Sequence, residues 1–391
     1  MTVLASDKPP SGANERSGAG ATQRSRAGAV ALKWLGVAVA AAAMWSTLRG
    51  ADFPGVAALI ASVGAPMMAL ALLPNLAARL FQAEASRRIF NNTGAGRPTA
   101  APARFTRYLS LTLATEALNM SVPAGAALSE SVTFYLLQRW CGVPGPQGIA
   151  GIAARRSLIL LANAVYVGIA LALGFGHLER ASIPLLGAPG LPWLVVLSGL
   201  GLLASALALA GALFSGTVAS RVFAQLRRLP GRRVRDYVEA RAAAFAATDR
   251  HAAALGERRG ALAAAALLLV GMWLAEGLET LFILRLLGVD VSLAEVLSFE
   301  VVLAFLRAAA FMVPAGLGVQ DAGYVAFLGA LGVPGAMTVG AAFVLLKRAK
   351  EIVWIGLGLL VFFGGRAVFR PAPEEPEKPE PGRLSRRASV P

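Results

Sequence analysis

One pattern of prolines, glycines and charges occurs twice in this chain and constrains its fold more than any other feature. In residues 311–348 an apolar run breaks at Pro314, and an acid, Asp321, follows seven residues after the proline. The next apolar piece ends at Gly-Val-Pro, and a basic pair, Lys347 and Arg348, lies inside a third. In a membrane, the backbone groups freed at such a break must be buried in protein or face a water-filled cavity.

The same order of residues begins 191 positions earlier in the chain. Glu130 stands seven residues after Pro123, a second Gly-Val-Pro follows, and Arg155 and Arg156 lie inside the third piece. Four features in one order and at nearly one spacing predict an internal repeat. We call residues 108–175 the first repeat and residues 291–365 the second repeat. Broken helices at matching positions of two halves are typical of a transporter's binding site.

The composition indicates an integral membrane protein. Hydrophobic residues make up 56% of the chain and charged residues 15%, whereas soluble domains carry about 25% charged residues. The net charge of +15 comes from basic residues that cluster between apolar runs. That distribution is typical of cytoplasmic loops and does not predict nucleic-acid binding. With one cysteine and two histidines in separate regions, we predict no disulfide within the chain, no metal and no cofactor.

Apolar runs of roughly 20 residues, the length that crosses a bilayer, predict an all-α polytopic membrane protein. We expect about six full transmembrane helices and two broken, re-entrant hairpins, arranged in two inverted repeats. The expected spans are residues 30–48, 55–78, 146–173, 191–214, 261–287 and 335–365. The expected hinge residues of the hairpins are Pro123, Gly125, Pro314, Gly316 and Gly318.

Arginine-rich segments predict the orientation. Residues 79–107 hold six arginines and one acid, Glu84, and residues 216–259 hold ten arginines and four acids. Both should lie in the cytoplasm, the second as an amphipathic helical pair broken at Pro230. Both termini are then cytoplasmic, and the alanine, glycine and arginine bias favours the inner membrane of a bacterium. Residues 29–365 form the predicted transmembrane domain, between disordered tails at 1–28 and 366–391, the latter rich in proline and glutamate.

Charged residues inside the apolar runs are the candidate site, because such groups are costly in a membrane and are usually functional. Two interpretations remain open. Each acid could tie its hairpin to the long helix that follows, or the basic groups could hold an anionic headgroup that the acids orient and release. Arginine suits phosphate because its planar fork binds two oxygens at once. The candidate residues are Asp321, Arg348, Lys347, Arg307, Glu130, Arg155 and Arg156.

Two further pairs of charged residues share helix faces. Glu276 and Glu279 lie one turn apart beside Trp273, and Glu300 and Arg307 are seven residues apart. Paired carboxylates can perform acid–base chemistry, but no nucleophile with a base, phosphate-binding loop or metal spacing accompanies them. We therefore do not expect an enzyme. Glu300 and Arg307 are expected to neutralise one another.

The run from Glu300 to Glu351 resembles the transmembrane region of the lysylphosphatidylglycerol synthase and flippase-like family. The likeness is greatest to the branch found with hopanoid biosynthesis. Three departures are Ala315 in place of the usual glycine, Asp321 in place of glutamate, and SVPAGAALSE in the first repeat, where many relatives carry a basic residue and a glycine. The residues that match the family pattern are Arg307, Pro314, Gly318, Asp321, Gly332 and Arg348.

The resemblance implies a flippase-like protein that translocates a lipid or another amphiphile. Full-length synthases add a soluble aminoacyl-transfer domain after the membrane part, and we expect the stand-alone form without it. The alternatives are a membrane scaffold that serves a lipid-modifying enzyme and, third, a lipid-modifying enzyme itself. The expected partners are membrane lipids with an anionic headgroup, or a polyprenyl or hopanoid lipid, and self-association is left open.

Overall fold

The computed structural model describes residues 52–92, 103–122, 125–309 and 318–368, and the isolated positions 42, 45 and 49. Every regular element in these ranges is a helix, which confirms the predicted all-α class. Nearly all of the span expected at residues 30–48 lies outside the described residues. Both expected tails do so as well, apart from residues 366–368, which continue the last helix.

The described chain begins with a bent segment. It consists of α1 (Phe53–Val63), α2 (Ala65–Leu70) and α3 (Leu73–Asn92). Gly64 separates the first two helices at φ +71°, a left-handed conformation that suits glycine, and the axis turns by 79° there. The expected loop from residue 79 is helical as far as residue 92. Glu84 pairs with Arg87 at 2.6 Å and Arg88 at 2.8 Å, one turn further on, and such pairs stabilise a helix.

The first repeat is a short helix, a break, a second short helix, a turn and a long helix. These are α4 (Phe105–Ser121), α5 (Gly125–Cys141) and α6 (Gly145–Leu186). Val122, which precedes the proline, is extended, as the residue before a proline usually is. At Gly125 an added Cβ would lie 2.2 Å from the carbonyl oxygen of Asn119, so the bend needs a glycine there. The chain then returns through α7 (Leu191–Phe214).

The arginine-rich segment folds into three helices beside the bundle. They are α8 (Val218–Arg227), α9 (Arg232–Glu239) and α10 (Ala242–Glu257), and the expected break at Pro230 separates the first two. Asp249 of α10 accepts the backbone N–H groups of Ala219 and Ser220, each at 2.8 Å, at the start of α8. A carboxylate at a helix N-terminus satisfies free donors and the helix dipole. α10 in turn packs against α6, which anchors the segment.

The second repeat has the same order of helices as the first. After α11 (Arg259–Leu286) come α12 (Leu293–Ala309), α13 (Val319–Ala330) and α14 (Ala336–Val368). By length and composition, α6, α7 and α11 can each cross a membrane, and the bent segment at the start makes a fourth if it is one span. The described residues therefore support three or four of the six expected spans.

The two repeats pack against each other reciprocally. The first helix of each repeat packs against the long helix of the other, α4 against α14 and α12 against α6. Glycines allow both crossings. A Cβ added at Gly358 of α14 would lie 2.3 Å from the carbonyl oxygen of Leu113, and one at Gly174 of α6 would lie 2.9 Å from that of Ala294. The backbones of the two repeats are therefore in direct contact at both crossings.

We expect Gly358→Ala to destabilise the protein by about 1–3 kcal/mol, because the new methyl group overlaps backbone that cannot move freely. Gly356→Ala is the matched control, since it lies on the same helix with nothing within 4 Å of an added Cβ. It should be neutral or stabilising by up to about 1 kcal/mol. The measurement is the fraction of monodisperse protein left after heating in detergent. Equal behaviour of the two variants would contradict the close crossing.

Candidate functional site

Asp321 in the second repeat holds the arginine that follows it on α14. Arg348 donates to one oxygen of Asp321 from Nη2 at 2.6 Å and from Nε at 3.2 Å. The other oxygen accepts the backbone N–H of Gly318 at 2.8 Å. Glu351, one turn along α14, accepts from Nη1 of Arg348 at 2.5 Å. Only 2% of the Asp321 side chain and 14% of the Arg348 side chain are exposed, so a buried ion pair ties α13 to α14.

Lys347 turns to the other side of α14 and has its own acid. Its Nζ lies 3.0 Å from Oε1 of Glu300 and 3.0 Å from the hydroxyl of Thr280, and it also contacts the hydroxyl of Tyr324. The ammonium lies 4.4 Å from the centre of the Tyr324 ring, within range of a cation–π interaction. Glu300, which the sequence pairs with Arg307, thus binds groups from other helices. The side chain of Arg307 lies outside the described residues.

In the first repeat, one carboxylate serves two arginines. Oε1 of Glu130 lies 3.0 Å from Nη2 of Arg155, and the same oxygen accepts from Nη2 of Arg156. Burial differs across the three side chains, with 10% of Arg155, 22% of Glu130 and 42% of Arg156 exposed. The hairpin of the first repeat is therefore tied to α6 as the hairpin of the second is tied to α14.

The charges of the second repeat form one cluster and those of the first repeat a second. A third cluster of charges joins the two repeats through α3. Nζ of Lys350 lies 2.5 Å from Oε1 of Glu279, and Nδ2 of Asn75 donates to the other oxygen at 3.0 Å. Arg79, one turn after Asn75, lies 3.2 Å from the carboxylate of Glu116 on α4. The side chains of Glu279 and Arg79 are only 1% and 4% exposed. Helices α14, α11, α3 and α4 are therefore connected by buried polar contacts.

The third cluster is electrostatically connected to the paired arginines of the first repeat. The charge of Glu279 acts on Arg79, and the charge of Glu116 acts on Arg155. A row of alternating charges thus runs from Lys350 in the second repeat to the paired arginines of the first. Because such interactions are strong where water is scarce, a movement of one cluster changes the field at the next.

Sequence reasoning missed Asn75, Arg79 and Glu116. The sequence assigns Arg79 to a cytoplasmic loop because five more arginines follow it, yet the residue is buried in α3. The four-residue spacing of Asn75 and Arg79 at the end of an apolar run was the available signal, since it places both on one helix face. Of the expected hinge residues, Gly125 is the first residue of α5 and Gly318 directly precedes α13. The others, Pro123, Pro314 and Gly316, lie outside the described residues.

An apolar cavity of 190 Å³ lies beside the third cluster. It opens where the bent segment turns, between α2, α11 and α14, and Lys350 is the one charged residue among the described residues that line it. Such a cavity fits hydrocarbon rather than a polar ligand. Its other lining residues are Val63, Met68, Ala69, Ala71, Leu72, Ile283, Leu286, Leu346, Ala349 and Val353. Among the described residues, no three His, Cys, Asp or Glu side chains converge as a metal site requires.

The family model for the lysylphosphatidylglycerol synthase TM region matches residues 33–364. The chain belongs to this family. None of the curated proteins matches the chain. The matched residues contain all three charge clusters, which lie between Asn75 and Glu351, and all but the last residue of the two repeats. The protein is thus a multi-pass membrane protein linked to lipid metabolism.

Proposed function

We propose that this protein moves a lipid or a related amphiphile between the leaflets of a bacterial inner membrane. The observation that carries the proposal is the reciprocal packing of two repeats, in each of which a short helix is held to the long helix that follows it by an ion pair. Such an arrangement suits alternating access, in which two repeats rock about a site between them. Ion pairs at the hairpins supply contacts that can break in one state and form in the other.

The chemistry of the site suits an amphiphile. Arginine and lysine can bind an anionic headgroup, and the cavity beside Lys350 can take part of an apolar chain. Because the sequence resembles the branch found with hopanoid biosynthesis, we include a hopanoid or polyprenyl lipid among the proposed cargoes. We place residues 216–259 on the cytoplasmic side, because their ten arginines favour it.

Purified full-length protein in liposomes should speed the movement of labelled phosphatidylglycerol between leaflets without changing its mass. Asp321→Ala should reduce the added rate at least tenfold, because Arg348 then lacks the acid that positions it. Arg241→Ala, which removes an exposed arginine of the basic segment, should leave the rate unchanged. The assay follows the fraction of label that a membrane-impermeant quencher reaches with time, and a reporter at residue 240 gives the orientation.

Two outcomes would contradict the proposal. If labelled lipids of several headgroup classes cross no faster than in empty liposomes, a scaffold for a lipid-modifying enzyme becomes the better interpretation. A lipid of altered mass in the same assay would instead favour an enzyme.

A further inference from the structure

The two repeats use their basic residues differently. In the second repeat the two members of the basic pair have separate acids, since Arg348 binds Asp321 and Glu351 while Lys347 binds Glu300. In the first repeat two arginines share one oxygen of Glu130. The cluster of the first repeat, Glu130, Arg155 and Arg156, therefore carries one positive charge more than its own acid neutralises.

Two buried atoms of this cluster have no hydrogen-bond partner among the described residues. They are Oε2 of Glu130 and Nε of Arg155. An arginine and a carboxylate commonly form two parallel hydrogen bonds, yet Arg155 and Glu130 make one, from Nη2 to Oε1. A buried polar atom without a partner is destabilising. The Arg155–Glu130 pair thus lacks its second hydrogen bond while Oε1 also accepts a hydrogen bond from Arg156.

These atoms are the acceptor and the donor of the missing second bond, so closing that bond would give both a partner. Glu130 would then be satisfied by Arg155 alone and would no longer need Arg156. An arginine released in this way needs another anion. Arg156 can reach one, because 42% of its side chain is exposed, against 14% for both Arg348 and Lys347.

The surroundings of the cluster suit the rest of an amphiphile. The two helices that carry it expose large apolar side chains, with exposed fractions of 44% for Leu128, 56% for Tyr135 and 50% for Ile149. Exposed apolar surface of this kind suits lipid chains in a membrane protein, so a headgroup at Arg156 has apolar surface for its acyl chains on the same two helices.

We propose that Arg156 is the residue that binds the phosphate of an anionic headgroup and that Glu130 is its internal competitor. On binding, the phosphate replaces the carboxylate at Arg156 and Glu130 closes its second bond to Arg155. In the second repeat, by contrast, Asp321, Glu351 and Glu300 keep both basic groups paired. The inference rests on the proposed function in one respect, which is that the ligand is a lipid and not free phosphate.

Binding of dioctanoyl-phosphatidylglycerol to the full-length protein in detergent tests this assignment. Arg156→Gln should weaken binding at least tenfold, since a charge-assisted hydrogen bond is lost. The affinity of Arg156→Lys should lie between those of the wild type and Arg156→Gln, because lysine keeps the charge but lacks the planar guanidinium that binds two oxygens. Glu130→Gln should tighten binding about threefold or more, because the competing charge is gone. Arg139→Gln, an exposed arginine of α5, is the matched control and should bind like the wild type.

The other arms identify the ligand and keep the inference separate from the proposed function. Dioctanoyl-phosphatidylcholine should bind weakly, and inorganic phosphate should bind well only if the site serves a free anion, which would overturn the lipid assignment. Undiminished binding by Arg156→Gln, or weaker binding by Glu130→Gln, would overturn the inference. If Glu130→Gln cannot be purified, the two Arg156 variants decide. Arg156-dependent binding without lipid movement in liposomes would refute the proposed function alone.

Discussion

Replacing Arg348 by alanine is expected to destabilise the protein by about 3–5 kcal/mol, the usual cost of removing one partner of a buried ion pair. Asp321, 2% exposed, would keep only the backbone N–H of Gly318 as a described partner. It would also face Glu351 without the guanidinium that now lies between the two carboxylates. The midpoint of heat-induced loss of monodisperse protein in detergent measures the effect.

Arg241→Ala is the control for this substitution. Arg241 is exposed and stacks 3.5 Å from the centre of the Tyr237 ring, so its loss should change stability by no more than about 0.5 kcal/mol. The double substitution Asp321→Asn with Arg348→Gln should recover part of the loss, because the most deeply buried charge, that of Asp321, is removed, whereas Glu351, 17% exposed, still lacks Arg348. Equal losses for Arg348→Ala and Arg241→Ala would refute a buried ion pair between α13 and α14.

Replacing Glu279 by alanine should have an effect of similar size, again about 3–5 kcal/mol. The substitution leaves the ammonium of Lys350, 11% exposed, without its carboxylate, and it removes the acceptor of Asn75. It also removes a negative charge that acts on the buried Arg79. Contacts between α11, α14 and α3 should weaken together. The midpoint of heat-induced loss of monodisperse protein should therefore be markedly lower than in the wild type.

The matched control is Glu257→Ala, which removes an exposed glutamate just before α11. It should be close to neutral, within about 0.5 kcal/mol. Lys350→Met with Glu279→Gln should be more stable than Glu279→Ala alone, since both charges leave the interior together. A Glu279→Ala protein as stable as Glu257→Ala would mean that the third cluster contributes little to the fold.

Local features of the sequence determined much of this protein. Apolar runs of membrane-spanning length determined the helical class, and two of the expected hinge glycines, Gly125 and Gly318, lie where α5 and α13 begin. Gly125 shows why such signals are readable, because its neighbour across the bend is only six residues away, at Asn119. The acid and the basic pair of each repeat could be predicted as candidates for the same reason. A charge inside an apolar run is conspicuous without any knowledge of the fold.

Only the tertiary structure decided which charges meet. Lys350 and Glu279 are 71 residues apart in the chain, and Asn75 and Glu279 are 204 apart. No local pattern encodes such pairings, because they depend on which helices cross and at what depth. The difference between the repeats arises in the same way. Sequence spacing makes Glu130 and Asp321 equivalent. In the second repeat, however, Glu351 and Glu300 supply further acids for the basic pair, whereas in the first repeat Arg156 shares an acid and stays partly exposed.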